Sequence, residues 1–533
     1  MDSALLVSIF NDVIGPVMRG PSSSHCAAAL RIGRLARDLM DGKIDELLVE
    51  FDRNGSLPTT HESQGSDMGL FGGLMGWDAA DERLPGSPQA MRDAGVRIRM
   101  EIVDTGDAHP NTYRLTMRNG RERHSLVAIS TGGGMMKVIA MDGFKVSLFG
   151  DYHETLFLMD KQGPEILRRL SALVNADEIL LHESADGQLV EVKASQFVGE
   201  TIIAELAKTT ATYQVKRLSP VLPVQSYKGC KVPFKTCNEM LDYDAGRNTP
   251  LWKLAVEYEK ARGNLTESTI IAKMVEIVRI LRRSIAEGIA GTRYDDRVLG
   301  HQSGRFKELM DAGRLLNGGS LNRIVLYVSA LMEVKSAMGV LVAAPTAGAC
   351  AALPGAVIAM AEEMDLSEED MAKALLASGI IGVFIATRWT FAAEVGGCQA
   401  EGGSAASMAA AALLTLANGT LAQAVGAASM AFQSMLGLIC DPVANRVEVP
   451  CLGKNIMAAS NALSCANMAL ADFDPVIPLD EVIETAQRVG DQMPRELRCT
   501  ALGGLSITKT SRAIERKLDA GKAASCGTCP VCH

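Results

Sequence analysis

Three cysteines stand close to glycine or proline: Cys398 in Gly396-Gly397-Cys398-Gln399-Ala400-Glu401, Cys440 in Cys440-Asp441-Pro442-Val443, and Cys451 directly after Pro450. They follow one another at intervals of 42 and 11 residues (398, 440, 451). Thiolates are the ligands that select soft metals and iron–sulfur clusters. Three of them hold three corners of a 4Fe-4S cube and leave the fourth iron open, and an open metal position is a Lewis acid toward a hydroxyl. The spacing also fits three buried, inert thiols, since free cysteine is often buried and no compact C-x-x-C grid surrounds these residues. A denser set closes the chain, Cys526-Gly527-Thr528-Cys529-Pro530-Val531-Cys532-His533. It reads equally as a metal-binding tail and as a redox-labile one.

Other stretches suit an anionic ligand. Ser22-Ser23-Ser24-His25 follows Gly20-Pro21 and precedes a helical run, Ala27 to Met40. Hydroxyls and free N–H groups at a helix start attract an anion, though an ordinary N-cap has the same pattern. Ser130-Thr131-Gly132-Gly133-Gly134 permits close approach of backbone to a ligand, or forms only a turn. Pro345-Thr346-Ala347-Gly348-Ala349 interrupts two helices, where unpaired N–H groups are again available. Two polar loops carry titratable groups: His61-Glu62-Ser63-Gln64-Gly65-Ser66-Asp67 and Asp107-Ala108-His109-Pro110-Asn111.

A chain of 533 residues is expected to form two to four domains. A net charge of −9 without a Lys/Arg stripe argues against a nucleic-acid partner. Twelve cysteines in so long a chain, with no secretory leader at Met1-Asp2-Ser3, fit a reducing cytoplasm and metal chemistry better than a disulfide scaffold. No charge intervenes between Lys335 and Glu362, or between Glu401 and Asp441. Such lengths can span a bilayer. Both stretches, however, are built of small residues, Pro345 and Pro354 break the first, and aromatic belts are missing. They read as buried helices, apolar on all sides, and no membrane partner is expected.

The elements that must position these residues fall into three blocks. Residues 1–152 mix helix and strand signals, with strands at Leu47–Phe51, Met136–Ala140 and Phe144–Phe149. Residues 153–225 read as strand, helix, two strands, helix and strand: Thr155–Met159, Pro164–Val174, Ile179–Leu181, Gln188–Val192, Gly199–Lys208 and Tyr213–Leu218. That order is ferredoxin-like. From residue 236 to 520 the pattern is helical, with i,i+4 charge pairs along Pro250–Arg262 and Glu267–Ile289. The expected fold class is multidomain α+β.

Five motifs in this order together resemble the iron–sulfur-dependent L-serine dehydratases. They are the Ser22–His25 loop, the triple glycine followed by Gly143-Phe144-Lys145-Val146, Ala344-Pro345-Thr346-Ala347-Gly348, the Cys398 segment and Cys440-Asp441-Pro442-Val443. The resemblance implies an N-terminal α/β domain (1–152, like the family's β part) and a degenerate ACT-like module of ferredoxin type (153–225). It further implies an all-helical catalytic domain (236–520, like the α part) and a Cys-rich tail (521–533). It places Cys398, Cys440 and Cys451 on a 4Fe-4S cluster, with no pyridoxal phosphate. The substrate hydroxyl is expected on the open iron, and its carboxylate against Ser22, Ser23, Ser24, His25, Gly133, Pro345 and Thr346. In some members a C-terminal cysteine caps the cluster, and Cys532 is the nearest match. The implied reaction is loss of water from a small-molecule β-hydroxy acid, foremost L-serine to pyruvate and ammonia, in amino-acid degradation and gluconeogenesis, by a homodimer. One motif departs from the family. Where members carry His-Gly-Thr-Asp, this chain has Gln64-Gly65-Ser66-Asp67, and Gln accepts no proton at neutral pH. The expected proton-handling residues are then His61 or His109, with Ser66 and Asp67. An amine-free substrate such as 2-(hydroxymethyl)glutarate is the alternative reading, and a non-catalytic cluster-binding sensor a further one.

Overall fold

The computed structural model describes residues 6–185, 187–208 and 214–525. Near the start lies a two-residue strand, β1 (Val17–Met18), followed by helix α1 (Ala28–Leu39). Helix α1 buries Ile32, Leu35, Ala36 and Leu39, the spacing that puts an apolar stripe on one face. It crosses helix α2 (Ser66–Leu74) at glycines. A Cβ at Gly69 would sit 2.0 Å from the Cys26 carbonyl oxygen, and one at Gly73 would sit 2.1 Å from that of Leu30. Only glycine allows so close a crossing, and it brings the Ser22–His25 turn against the 61–67 loop.

Both helices cover a six-stranded sheet. Its strands are β2 (Glu46–Asp52), β3 (Arg97–Val103), β4 (Thr112–Arg118), β5 (Arg123–Gly132), β6 (Met135–Met141) and β7 (Phe144–Leu148), in the order β3-β2-β4-β5-β6-β7. The β2–β3 pair is parallel and the other pairs are antiparallel, so the sheet is mixed. Along β2 the burial alternates, with Leu47, Val49 and Phe51 facing the core.

Next come β8 (His153–Met159), the helix Gly163–Leu173, β9 (Glu178–Ser184), β10 (Gly187–Ala194), the helix Glu200–Ala207 and β11 (Gln214–Leu218). This βαββαβ succession forms an antiparallel sheet ordered β11-β8-β10-β9. It has its own small core around Phe157, Ile166, Leu170 and Val190.

The rest is helical except for β12 (Leu341–Val342), which pairs with β1 through Val17–Val342 and Met18–Leu341. The expectation of an all-helical C-terminal domain is corrected there. The pairing has company. Ile9, Phe10, Val13 and Ile14 belong to the core of the helical region, and Ser8 Oγ and Ile9 N donate to the buried Glu259 at 2.5 and 2.9 Å. The first residues of the chain are therefore shared with the helical part, a long-range packing that local periodicity does not encode.

The two uncharged stretches are folded into pieces. The first is divided among β12, the Pro345 turn and the helix Ala352–Glu363; the second yields the helices Ser404–Leu416 and Leu421–Gln433. None of these reaches the roughly 20 residues that cross a bilayer. Among the described residues, one helix, Glu368–Arg388, is long and apolar enough, but 78% of its apolar window is buried against the rest of the protein. The helix Lys509–Ser525 runs into the expected tail; Cys526, Cys529 and Cys532 lie outside the described residues.

Candidate active site

Cys398 precedes a π-helical turn, Gln399–Gly403, that leads into the helix Ser404–Leu416. Cys440 lies in extended chain, its N–H donating to Leu497 O at 2.8 Å and its carbonyl accepting from Cys499 N at 3.3 Å. Cys451 opens the helix Cys451–Leu470 behind Pro450. Cys398, Cys440 and Cys499 pack in one buried group with Ala393 and Leu438. The Cys440 thiol donates toward the sulfurs of Cys398 and Cys499; these bonds, then burial, push its pKa well above the ordinary thiol range. Cys451 lies within electrostatic reach of Cys398, and burial raises its pKa too. All four are free thiols.

Lys454, one turn into the Cys451 helix, sits over this group. Its Nζ is 3.7 Å from Cys398 Sγ and donates to Ile439 O and Asp441 Oδ1, both at 2.7 Å. Burial opposes its charge, but the Cys398 and Asp441 neighbours prevail and raise its pKa. Among the described residues no three His, Cys, Asp or Glu side chains converge closely enough for a single metal ion. A cluster spreads its thiolates over separate irons, and the donor set here suits one. It consists of buried free sulfurs, costly to ionise alone, beside a cation that balances thiolate charge.

A second group meets the first. Ser22 Oγ is 3.0 Å from His25 Nδ1, and His25 Nε2 is 2.9 Å from Thr60 Oγ1. Thr60 already donates to Ser56 O at 2.8 Å, so Nε2 carries the proton and Nδ1 accepts. Burial drives the His25 pKa down to about 3, so the ring is neutral at pH 7. Glu394 Oε1 stands 3.4 Å from Nδ1, and burial raises the pKa of its carboxyl. Ser23 Oγ accepts from Ala347 N at 3.2 Å, and Ser24 O accepts from Ser130 Oγ at 2.7 Å. Gly133, at φ +61°, leaves room for Pro345, whose carbonyl oxygen would lie 3.6 Å from a Cβ there. Thr346 bonds Glu401, and burial, reinforced by Glu394, lifts the Glu401 pKa to about 7. Gly348 packs so close to this carboxylate that a Cβ would lie 2.6 Å from Oε2. Asn455 holds the turn by donating to Gly348 O at 2.8 Å and accepting from Ala351 N and Ala352 N. The Ser22–His25 loop, triple glycine, Pro345 turn and Glu394–Glu401 segment thus enclose one interior, with Cys398 between its two carboxyls in the chain.

The 61–67 loop meets the interior through Gln64. His61 Nδ1 is 2.8 and 2.9 Å from the Asp67 oxygens. Burial works against the charged ring, but Asp67 and Glu62 outweigh it and raise the His61 pKa. Ser66 Oγ lies 2.8 Å from Tyr113 OH. His109 Nδ1 accepts from Asn111 N at 3.2 Å, and burial lowers its pKa. Among the described residues the hydrogen bonds of His61 and His109 stay within their own loops. Gln64, by contrast, is buried, with Nε2 3.1 Å from Asn445 Oδ1 and 3.7 Å from Cys499 Sγ. Asn445 Nδ2 donates to Thr59 O and Ser63 Oγ, so its Oδ1 must face Gln64, and Gln64 must answer with its NH2. Its Oε1 is left buried and without a partner among the described residues.

Sequence reasoning singled out the stretch Glu394–Glu401 for its cysteine but gave no role to Glu394 or Glu401, and it did not single out Cys499 or Lys454. Leu497-Arg498-Cys499-Thr500 has no adjacent glycine or proline, and the two glutamates flank a motif that drew attention to its cysteine alone.

Residues 246–506 match the family described as serine dehydratase alpha chain. L-serine dehydratase TdcG of Escherichia coli (strain K12) is 40% identical over 507 residues, covering 92% of this chain and 96% of that relative. This chain belongs to the L-serine dehydratase family. Two further members come from Bacillus subtilis (strain 168). The probable L-serine dehydratase alpha chain is 34% identical over 288 residues, 54% of this chain and 96% of the relative. The probable beta chain is 33% identical over 218 residues, 40% and 98%. A single polypeptide thus matches both chains of a two-chain member.

Proposed function

We propose that the protein is a 4Fe-4S-dependent dehydratase that converts L-serine to pyruvate and ammonia, with Cys398, Cys440 and Cys451 as cluster ligands and no pyridoxal phosphate. The observation that carries this reading is the meeting of the anion-binding turns, two buried carboxyls and the thiol group in one interior. When bound, the cluster supplies a Lewis acid that makes the β-hydroxyl a better leaving group.

The protein's own groups do the rest. The Ser23 and Ser24 hydroxyls and N–H groups of the Ser22–Ser24 and Pro345–Gly348 turns face the substrate carboxylate, and offsetting its charge eases loss of the neighbouring α-proton. His25, neutral and locked by Thr60, orients the Ser22 hydroxyl. Glu401, fixed by Thr346 and Gly348, takes the α-proton on a carboxylate oxygen as the β C–O bond breaks. Hydroxide leaves with a proton as water, and the enamine product then exchanges its nitrogen for water oxygen, releasing ammonia. Gln64 Oε1, an orphaned acceptor whose unmet bond costs about 1–3 kcal/mol, receives an N–H from the substrate ammonium. That acceptor favours serine over 2-(hydroxymethyl)glutarate, which has no amine to offer. Residues 153–225 serve as a degenerate ACT-like regulatory module, and the assembly is a homodimer.

The test is anaerobic reconstitution with iron and sulfide, then assay of L-serine beside 2-(hydroxymethyl)glutarate. Pyruvate from serine supports the reading; turnover of only the amine-free acid overturns the serine assignment, and a loaded protein inert to both supports the sensor. A second proton acceptor has geometry in its favour, the His61–Asp67 pair. Exchange of the α-hydrogen in deuterated water separates the two: Glu401→Gln should lose it and His61→Ala should keep it, and the reverse result assigns the base to His61.

A further inference from the structure

We infer that Cys499 is a fourth thiolate ligand of the cluster, holding the iron that Cys398, Cys440 and Cys451 leave open. The inference rests on the cluster reading above and goes beyond it, because that reading leaves the fourth position to substrate or to the C-terminal Cys532.

Cys499 reaches the thiol group from a separate segment, and its backbone is tied to that of Cys440. Besides the Cys440 N–H to Leu497 O and the Cys499 N–H to Cys440 O, a parallel bridge joins Cys440 to Arg498. Its side chain is 4% exposed and packs with Cys398 and Cys440. It is the sulfur to which the Gln64 amide points, at 3.7 Å from Nε2. An N–H aimed at a sulfur stabilises a thiolate ligand and tunes the metal behind it. A structural cysteine in an apolar core needs no such donor. The surroundings of Cys499 therefore match those of a ligand better than those of a packing residue.

The assignment has a consequence for turnover. Four thiolates would leave no position for the substrate hydroxyl, so Cys499 would have to be the ligand that yields to it, and its thiolate would then rest beside the Gln64 amide. The segment that carries Cys499 is suited to that exchange. Cys499 and Ala501 lie in the left-handed region at φ 56° and 58°, a backbone conformation that residues with a Cβ rarely adopt. Movement of this segment would relieve the strain.

The experiment uses the full-length protein, reconstituted anaerobically and then mildly oxidised, with EPR following formation of a three-iron cluster. A cluster with an unprotected iron loses it first. The unchanged protein should form the three-iron signal slowly, and Cys499→Ser should form it several-fold faster at equal initial iron content. A variant with Cys526, Cys529 and Cys532 all changed to serine should behave as the unchanged protein. If that tail variant rather than Cys499→Ser loses iron quickly, the cap is in the tail and the inference fails. It fails equally if Cys499→Ser and the unchanged protein oxidise at the same rate. An unchanged protein that takes up no cluster at all defeats the cluster reading itself, which is a different result. A measurement without substitution guards against a misfolded variant: Cys499 should resist alkylation in the loaded protein and become labelled once the cluster is chelated away, whereas labelling unaffected by loading overturns the assignment.

Discussion

Two populations of buried cysteine lie in this molecule, and burial does not tell them apart. Cys26 and Cys350 are 0% and 2% exposed, as deep as Cys398, Cys440, Cys451 and Cys499. Burial pushes the Cys26 thiol up to about 12 and that of Cys350 to about 11. Cys26 spends its proton on Arg19 O at 3.3 Å and stays a neutral packing group. The grouped thiols have each other, Lys454 and the Gln64 amide. What differs is company: Cys350 lies within electrostatic reach of Lys335 and Glu401 but in no group of sulfurs, whereas Cys398, Cys440 and Cys499 share one pocket beside a cation, the setting in which thiolates serve as ligands.

The sharpest way to break this contrast is to remove one member from each side. Cys440→Ala should abolish cluster loading, read as iron and sulfide bound per chain, while Cys350→Ala loads normally; equal loss in both would erase the distinction. Next in size is the cation. Lys454→Met strands the buried Asp441 carboxylate, and an uncompensated buried charge costs about 3–5 kcal/mol. Urea unfolding of the cluster-free variant should show that loss, and an unchanged midpoint would mean that Asp441 finds another partner. Gly348→Ala touches no thiol, yet its methyl group pushes against Glu401. A displacement near 1 Å at a reacting group costs on the order of a hundredfold in rate, so kcat should fall by that order with iron content intact.

The smallest expected effect is a pH slope. His25 is buried, and burial disfavours its charged form. Its folded pKa, about 3, lies below the unbound value of 6.5, so the unfolded chain binds the extra proton. Its contribution to stability is full above pH 6.5 and is lost as pH falls from 6.5 toward 3. Asp12, raised by burial to about 6, acts in the opposite sense: its contribution is present below the ordinary carboxylate range and is lost as pH rises through 6. A His25→Gln variant should therefore lose less thermal stability than the unchanged protein between pH 7 and 5, as read by melting temperature. Parallel slopes would remove His25 as the source.

Some of this was legible along the chain. The βαββαβ order of residues 153–218 could be read because strand and helix periods are local, and each element there repeats its pattern over several residues. Helix α1 and the buried character of the uncharged stretches were legible for the same reason. Strands β3 and β4 were passed over, although β3 alternates Arg97, Arg99 and Glu101 with Ile98, Met100 and Ile102 and β4 alternates Tyr113, Leu115 and Met117 with polar residues, a period of two that local sequence does carry. Glycine and proline beside Cys398, Cys440 and Cys451 drew attention to those thiols, because such residues mark turns where side chains gather.

Residue types and local spacing thus determined which elements form and which groups have ligand or acid–base chemistry to offer. The tertiary structure alone decided which of them meet. Ser23 and Ala347 are 324 residues apart in the chain and share a hydrogen bond; Gln64 finds Cys499 across 435. The first residues insert into the helical core, and His61 closes on Asp67 while Gln64 faces the thiols. These outcomes depend on close packing of distant surfaces, where complementary shape and the need to satisfy buried polar groups select one arrangement. Neither condition leaves a trace in a window of neighbouring residues, which is why the place of Cys499, and the meeting of Glu394 and Glu401 with the serine and Pro345 turns, became visible only in three dimensions.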